Sequence, residues 1–285
     1  MAGICFGFLG VFARAAYALG LSVGELLTIR FLCAACILAV ALMIKNPNLL
    51  RLPLRQILIS CCLGVFGYAT FSTLYFRSLQ GVSVPMAAML LFTFPIWVNL
   101  GAHFFLKDKM NIWQWLGLFS ATAGLALLLW GDWDGHLVHD DGFAKIGYVL
   151  SGLGAAVTYA LYVLVSGKVQ KNVPPFSSSL YVMLSAGLSL ALIHHPTIAR
   201  VSEIPLMAWA VVIGLAVFST ISPLTFFLSG LQKIKSSEAS IFAMIEPVTA
   251  SLVAMLFLHE TLGPLQLLGG ALVLASIAAS ARKTT

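Results

Sequence analysis

Glu246 lies inside a long apolar run and is followed at once by Pro247. A carboxylate inside hydrocarbon costs on the order of several kcal/mol unless it is protonated, paired or wet. Pro247 removes one backbone hydrogen bond and frees a carbonyl one turn earlier, which adds a polar notch. Two kinds of chemistry fit: a protonatable coupling group or partner for a substrate ammonium, and a structural anchor in a helix kink. The embedded cations are Arg14 and Arg30. Each carries a fork of donors that matches a carboxylate. Against that, Arg30 could lock helices together and Arg14 could extend its stem toward the interface. His103 reads as a helix-packing group before it reads as a proton relay.

An aromatic and hydroxyl set accompanies these charges: Phe6, Phe12 and Tyr17; Tyr68, Phe71 and Tyr75; Trp97 with Asn99; Tyr159 and Tyr162; Phe226. Rings with polar handles suit a cavity for small amphipathic molecules. The alternative for Tyr75 is an anchor at the membrane interface, as expected for Trp113, Trp115, Trp130, Trp133 and Trp209. Enzyme chemistry finds no support. The chain has no phosphate-binding loop, no His-Glu-x-x-His spacing and no nucleophile with an evident base. Cys33 and Cys36 have a spacing seen in redox and metal pairs, but all five cysteines lie in apolar segments and read as buried, reduced packing residues. No metal and no cofactor are expected. His194 with His195, and His136 with His139, are at segment ends.

The elements that must position these residues are membrane helices. The chain is 60% apolar and 9% charged over 285 residues, with a mean hydropathy of +0.98. A water-facing globule needs far more charge to cover itself. Crossing the hydrocarbon as a helix takes about 20 apolar residues. Segments near 3–20, 23–44, 54–76, 83–106, 112–130, 143–166, 176–194, 205–229, 236–258 and 263–281 meet that test. They are too long and too uniformly apolar for barrel strands. An all-α bundle of ten spans follows, with the apolar start at Gly3 expected to be a first span rather than a cleaved leader.

Loop charges orient the bundle. With both termini in the cytoplasm, the inner loops hold Lys45, Arg51, Arg55, Lys107, Lys109, Lys168, Lys171, Lys233 and Lys235, with Arg282 and Lys283 at the end. The other side holds Arg77, Lys145 and Arg200. That asymmetry is the positive-inside pattern of a multi-pass membrane protein. The net charge of +6 is therefore orienting charge; no basic patch interleaved with stacking aromatics suggests nucleic acid. The acidic loop Asp132 to Asp141 falls outside and reads as a solvated connector. Membrane lipid and a small-molecule substrate are the expected partners, to a monomeric protein.

The chain also repeats itself. Leu79-Gln80, Ala87, Pro95, Phe105-Leu106, Gln114 and Leu116-Gly117 recur as Leu231-Gln232, Ala239, Pro247, Phe257-Leu258, Gln266 and Leu268-Gly269, a constant offset of 152 between positions such as 79 and 231. Asp108 is matched by Glu260, and Phe94 by Glu246. An offset holding five spans inverts the second copy relative to the first, as in many transporters. Two halves are expected, 1–135 and 136–285. Glycines such as Gly117, Gly124, Gly152, Gly154, Gly269 and Gly270 allow close helix approach.

Phe94-Pro95, Leu106-Lys107-Asp108 and Gln114-Trp115-Leu116-Gly117 in one half pair with Ile245-Glu246-Pro247-Val248, Leu258-His259-Glu260 and Gln266-Leu267-Leu268-Gly269 in the other. With Glu25 to Leu32 (Glu-Leu-Leu-Thr-Ile-Arg-Phe-Leu), the order and pairing of these motifs resembles the drug/metabolite transporter superfamily, in particular its EamA group of ten-span bacterial permeases. Two departures are Phe6-Gly7 where Trp-Gly is usual, and Lys107-Asp108 where the loop usually ends Gly-Glu. The resemblance implies alternating access by two rocking halves and a central cavity lined by spans one, three, four, six, eight and nine. It implies export of amino acids or related metabolites. Arg14, Phe6, Phe12, Phe71, Tyr75, Trp97, Asn99, Tyr159, Tyr162, Phe226 and Glu246 are the expected substrate contacts, with Glu246 and Arg30 serving coupling. The other classes open are a multidrug exporter of cationic aromatic compounds and a non-transporting membrane or flippase accessory.

Overall fold

A computed structural model describes residues 1–82, 84–107, 112–130, 142–193, 204–258 and 263–281. Every regular element among them is helical. Seven helical stretches are long and apolar enough to cross a membrane, and three shorter apolar helices cover Ala2–Ala18, Trp115–Leu129 and Pro264–Ala278. Asp108, Glu260, the Asp132 to Asp141 loop with its histidines, His194, His195 and Trp133 lie outside the described residues.

In chain order the helices are α1 Ala2–Gly7, α2 Leu9–Ala18, α3 Val23–Lys45, α4 Leu54–Cys62, α5 Thr70–Ser78, α6 Val84–Leu91, α7 Phe94–Leu106, α8 Ile112–Trp130, α9 Gly142–Val169 and α10 Pro175–Ile193. They continue as α11 Leu206–Ala216, α12 Ser222–Leu231, α13 Ser236–Ala243, α14 Ile245–Leu258 and α15 Pro264–Ala281. Between α4 and α5, and again between α11 and α12, the helix loosens into wide π turns at Leu63–Ala69 and Val217–Ile221. Such turns leave a carbonyl shifted by one residue and are common at functional sites.

The offset of 152 read from one stretch of sequence governs most of the secondary structure. Helix α6 at 84–91 maps onto α13 at 236–243, and α3 and α10 begin at 23 and 175. The π turns overlap as well, with Val65 to Ala69 mapping onto Val217 to Ile221. Both halves also break a helix at the same place, after Leu91 and after Ala243. At those breaks hydrogen bonds tighten to three-residue closures, Thr93 N–H to Leu90 O at 3.3 Å and Met244 N–H to Ile241 O at 3.1 Å. The first helix departs from the pattern: it breaks at Phe8, whereas α9 runs unbroken through the matching positions.

The helices pack into two compact units, and each takes helices from both repeats. One comprises 1–69 and 165–233, the other 70–164 and 234–285. In the first, α10 lies against α3 and the π turn after α4, while α11 lies against α2 and α3. Ala16, Leu21, Leu26, Ile29, Ala208, Val212 and Leu215 form its core there. Gly187 lets α10 close on Leu32, since a Cβ would sit 2.8 Å from a Leu32 methyl. In the second unit α8 and α15 pack along their lengths, and α7 meets α13.

Two expectations change. The cysteines are not buried packing residues: Cys36 and Cys62 are exposed and Cys5, Cys33 and Cys61 partly so, all five as free thiols. His103 is also exposed, with its ring edge-on to Phe104 at 5.3 Å. The reason is shared. A membrane helix needs an apolar outer face as well as an apolar inner one, so hydropathy does not distinguish the two. Phe66, Phe104 and Phe105, each at least 71% exposed, make the same point.

Candidate functional site

Glu246 acquires a place that its sequence neighbourhood only half suggested. The break after Ala243 makes it the second residue of α14, so its carboxylate lies in the first turn of a helix that starts in mid-run. The unbonded N–H groups there carry a partial positive charge that favours an anion, by about 0.3–1 kcal/mol at a surface and more when partly buried. Pro247 at the third position needs no N–H partner. Glu246 as a residue is partly buried. Downstream hydroxyls bond back to the same turn, Thr249 Oγ1 to Ile245 O and Ser251 Oγ to Pro247 O, both at 3.0 Å.

Helix α7, which follows the matching break, carries Asn99 in its second turn, fully buried. Its Nδ2 donates to Pro95 O at 2.7 Å and approaches Ser240 Oγ on α13 at 3.5 Å. Asn99 Oδ1 has no donor among the described residues. Ser240 in turn donates to Ser237 O at 2.8 Å. The same unit holds an aromatic row. Phe71 and Phe94 approach the Tyr159 ring at 4.9 and 4.7 Å, and Tyr162 stacks on Tyr159 at 6.0 Å with planes 9° apart. Phe71, Phe94, Tyr159 and Tyr162 thus form one cluster of rings, while Asn99 meets Ser240. Tyr162 is almost wholly buried.

Other expected contacts are placed elsewhere. Trp97 is 39% exposed and donates Nε1–H to Thr93 Oγ1 at 3.3 Å. Phe226 is also outward-facing. Tyr75 lies against Phe76 at 5.7 Å. Phe12 packs on Gly214, whose Cβ would lie 3.0 Å from the ring. Phe6 is partly buried, and Arg14 is exposed on α2.

In the first unit the polar chemistry centres on Arg30. It is 8% exposed, and its Nε has no hydrogen-bond partner among the described residues. Its guanidinium carbon lies 4.5 Å from the centre of the Phe31 ring. The ionisable groups close enough to feel its charge are the phenols of Tyr68 and Tyr17. Phe31 packs edge-on against Tyr68 at 5.5 Å and 88°. Glu25, the acid five residues earlier, is engaged elsewhere: its Oε2 accepts from Ser22 N–H and Oγ–H at 2.7 Å each, closing the cap of α3. Desolvating a guanidinium costs several kcal/mol, while a cation–π contact returns about 0.5–2 kcal/mol. The aromatic surroundings alone leave that charge under-compensated.

Comparison with known proteins accords with this architecture. The EamA-like transporter family matches residues 1–130 and 146–282. An uncharacterized transporter of Archaeoglobus fulgidus is 29% identical over 216 residues, 75% of this chain and 73% of that protein. The uncharacterized transporter YcbK of Bacillus subtilis is 28% identical across 93% of this chain and 86% of its own. The threonine/homoserine exporter RhtA of Escherichia coli K12 is 28% identical over 208 residues, 72% of this chain and 65% of that protein. One solved crystal structure superposes with a TM-score of 0.80 over 98% of this chain and 93% of its own, at 17% identity. That likeness concerns the fold alone.

Proposed function

The chain belongs to the EamA-like transporter family, and from that premise we propose that it is a secondary exporter of amino acids and related small metabolites. Membership makes it a membrane transporter; the cargo and direction are our reading. The observation that carries them is the similarity to a threonine/homoserine exporter over 72% of this chain. Ten spans in two inverted halves, 1–135 and 136–285, rock about a midplane site, with both termini in the cytoplasm. The recurrence of helix bounds, π turns and breaks at one offset supports the duplication. Helices interrupted in mid-span expose backbone poles where a zwitterion or ion can be held.

Phe71, Asn99, Tyr159 and Tyr162 form the apolar and polar wall for the cargo, with Arg14, Phe6, Phe12, Tyr75, Trp97 and Phe226 as further candidates. Glu246 carries the coupling proton. Deprotonated, it is held by the first turn of α14; protonated, it crosses the low-dielectric interior without charge, which permits the return step. The test is flux of threonine in proteoliposomes under an imposed pH gradient, wild type against Glu246→Gln. Gradient-driven flux is lost in the variant, and exchange without a gradient persists. Unchanged gradient-driven flux would remove Glu246 as the proton carrier. A multidrug exporter of cationic aromatics is the second reading, suited by Glu246 and by the aromatic row and opposed by the buried Arg30.

A further inference from the structure

We infer that Arg30 is the anion receptor of this transporter, holding the carboxylate of the cargo against the phenols of Tyr68 and Tyr17. The inference rests on the transporter reading and adds a substrate class to it: cargo must carry a carboxylate. Arginine stays protonated at every pH the cell reaches, so it cannot shed its charge to fit an apolar site. Buried charges in proteins are paired. Arg30 is more than nine-tenths buried, its guanidinium carbon lies 4.5 Å from the centre of the Phe31 ring, and among the described residues no acid forms an ion pair with it. The acid nearest before it in the chain, Glu25, is tied into the cap of α3.

The cage is built rather than incidental. Tyr68 belongs to the π turn Leu63–Ala69, and its ring is fixed edge-on by Phe31. The Arg30 guanidinium carbon lies over that Phe31 ring. The Arg30 Nε is without a hydrogen-bond partner among the described residues, and Nε with a terminal N–H is the edge that grips a carboxylate with two parallel bonds. Tyr17, at the end of α2, is 38% exposed. A structural lock would instead place an acceptor on Nε, and none is present among the described residues.

The test uses the full chain purified in detergent and three probes: threonine, threonine amide and N-acetylthreonine. Thermal unfolding of the wild type shifts upward with threonine and with N-acetylthreonine, and not with the amide. Arg30→Met abolishes those shifts while leaving the unliganded midpoint unchanged or higher, because an unpaired buried charge has been removed. Arg30→Lys, which keeps a charge without the fork, responds at least tenfold more weakly. The inference is overturned if the amide stabilises as well as the acid, if no carboxylate stabilises the wild type, or if either variant responds as the wild type does. Flux of cationic compounds with no carboxylate response removes the receptor and leaves a transporter. Carboxylate binding that depends on Arg30, with no flux of any cargo, leaves the receptor and removes the exporter.

Discussion

Gly124 and Gly269 meet backbone to backbone where α8 crosses α15. A Cβ on Gly124 would lie 2.8 Å from the Gly269 carbonyl oxygen, and one on Gly269 would collide with the Gly124 carbonyl and Leu128 N. No side chain can turn aside there, because the obstacle is main chain. Gly124→Leu therefore lowers stability in detergent by about 1–3 kcal/mol, the range for overpacking, measured as the unfolding midpoint. Gly10→Ala is the control. Nothing lies within 4 Å of its would-be Cβ, so stability stays level or rises by about 0.5–1 kcal/mol from better helix propensity.

Gly64 opens a different kind of contact, in the π turn after α4. A Cβ there would strike both Ser185 Oγ and the Val182 carbonyl of α10. Gly64→Ala is destabilising, and adding Ser185→Ala relieves only part of the loss, since the backbone obstacle remains. Full rescue in the double variant would show that α10 can shift at this crossing. Unfolding midpoints of the two single variants and the double decide it.

Asn99 and Ser240 link α7 to α13 by a long hydrogen bond of 3.5 Å. At that length the coupling is weak, about 0.5 kcal/mol in a double-mutant cycle between Asn99→Ala and Ser240→Ala. Asn99→Ala alone costs more, about 1–2 kcal/mol, because a fully buried side chain also loses its bond to Pro95 O. Threonine flux in Asn99→Ala falls further than stability does if Oδ1 contacts cargo; a parallel fall would assign Asn99 to packing.

Ser22 and Glu25 close the cap of α3. Ser22→Ala removes one half of the reciprocal pair and costs about 1 kcal/mol. It also loosens Glu25, eight helical ångströms or so from Arg30 by the rise per residue of about 1.5 Å. If Arg30 holds the cargo carboxylate, freeing this acid weakens threonine stabilisation, and Glu25→Gln in the same background restores it.

The broken symmetry at Phe94 and Glu246 was legible in the chain, as were Pro95 and Pro247. What it meant was not. Proline alone predicts a kink, whereas the structure starts a new helix at Ile245 and gives Glu246 a helix N-terminus. Ser240 and the ring contact of Phe94 were not legible because serine and phenylalanine are ordinary in membrane helices, and only the approach of α13 to α7, and of Tyr159 to Phe94, distinguishes them. The cysteines and His103 were misplaced because their segments are apolar on every side.

By itself the sequence determined that this chain lives in a membrane, that it folds from helices and that it contains a duplication. Hydrocarbon forces apolar composition and internal backbone bonding, and both are written locally. Tertiary structure decided which apolar face turns inward, that Gly269 meets Gly124 rather than its repeat-mate Gly117, and that Arg30 is buried with its guanidinium over the Phe31 ring. In lipid the inner and outer faces of a helix have the same polarity. Packing shape rather than hydropathy assigns them, and shape is a property of pairs of helices.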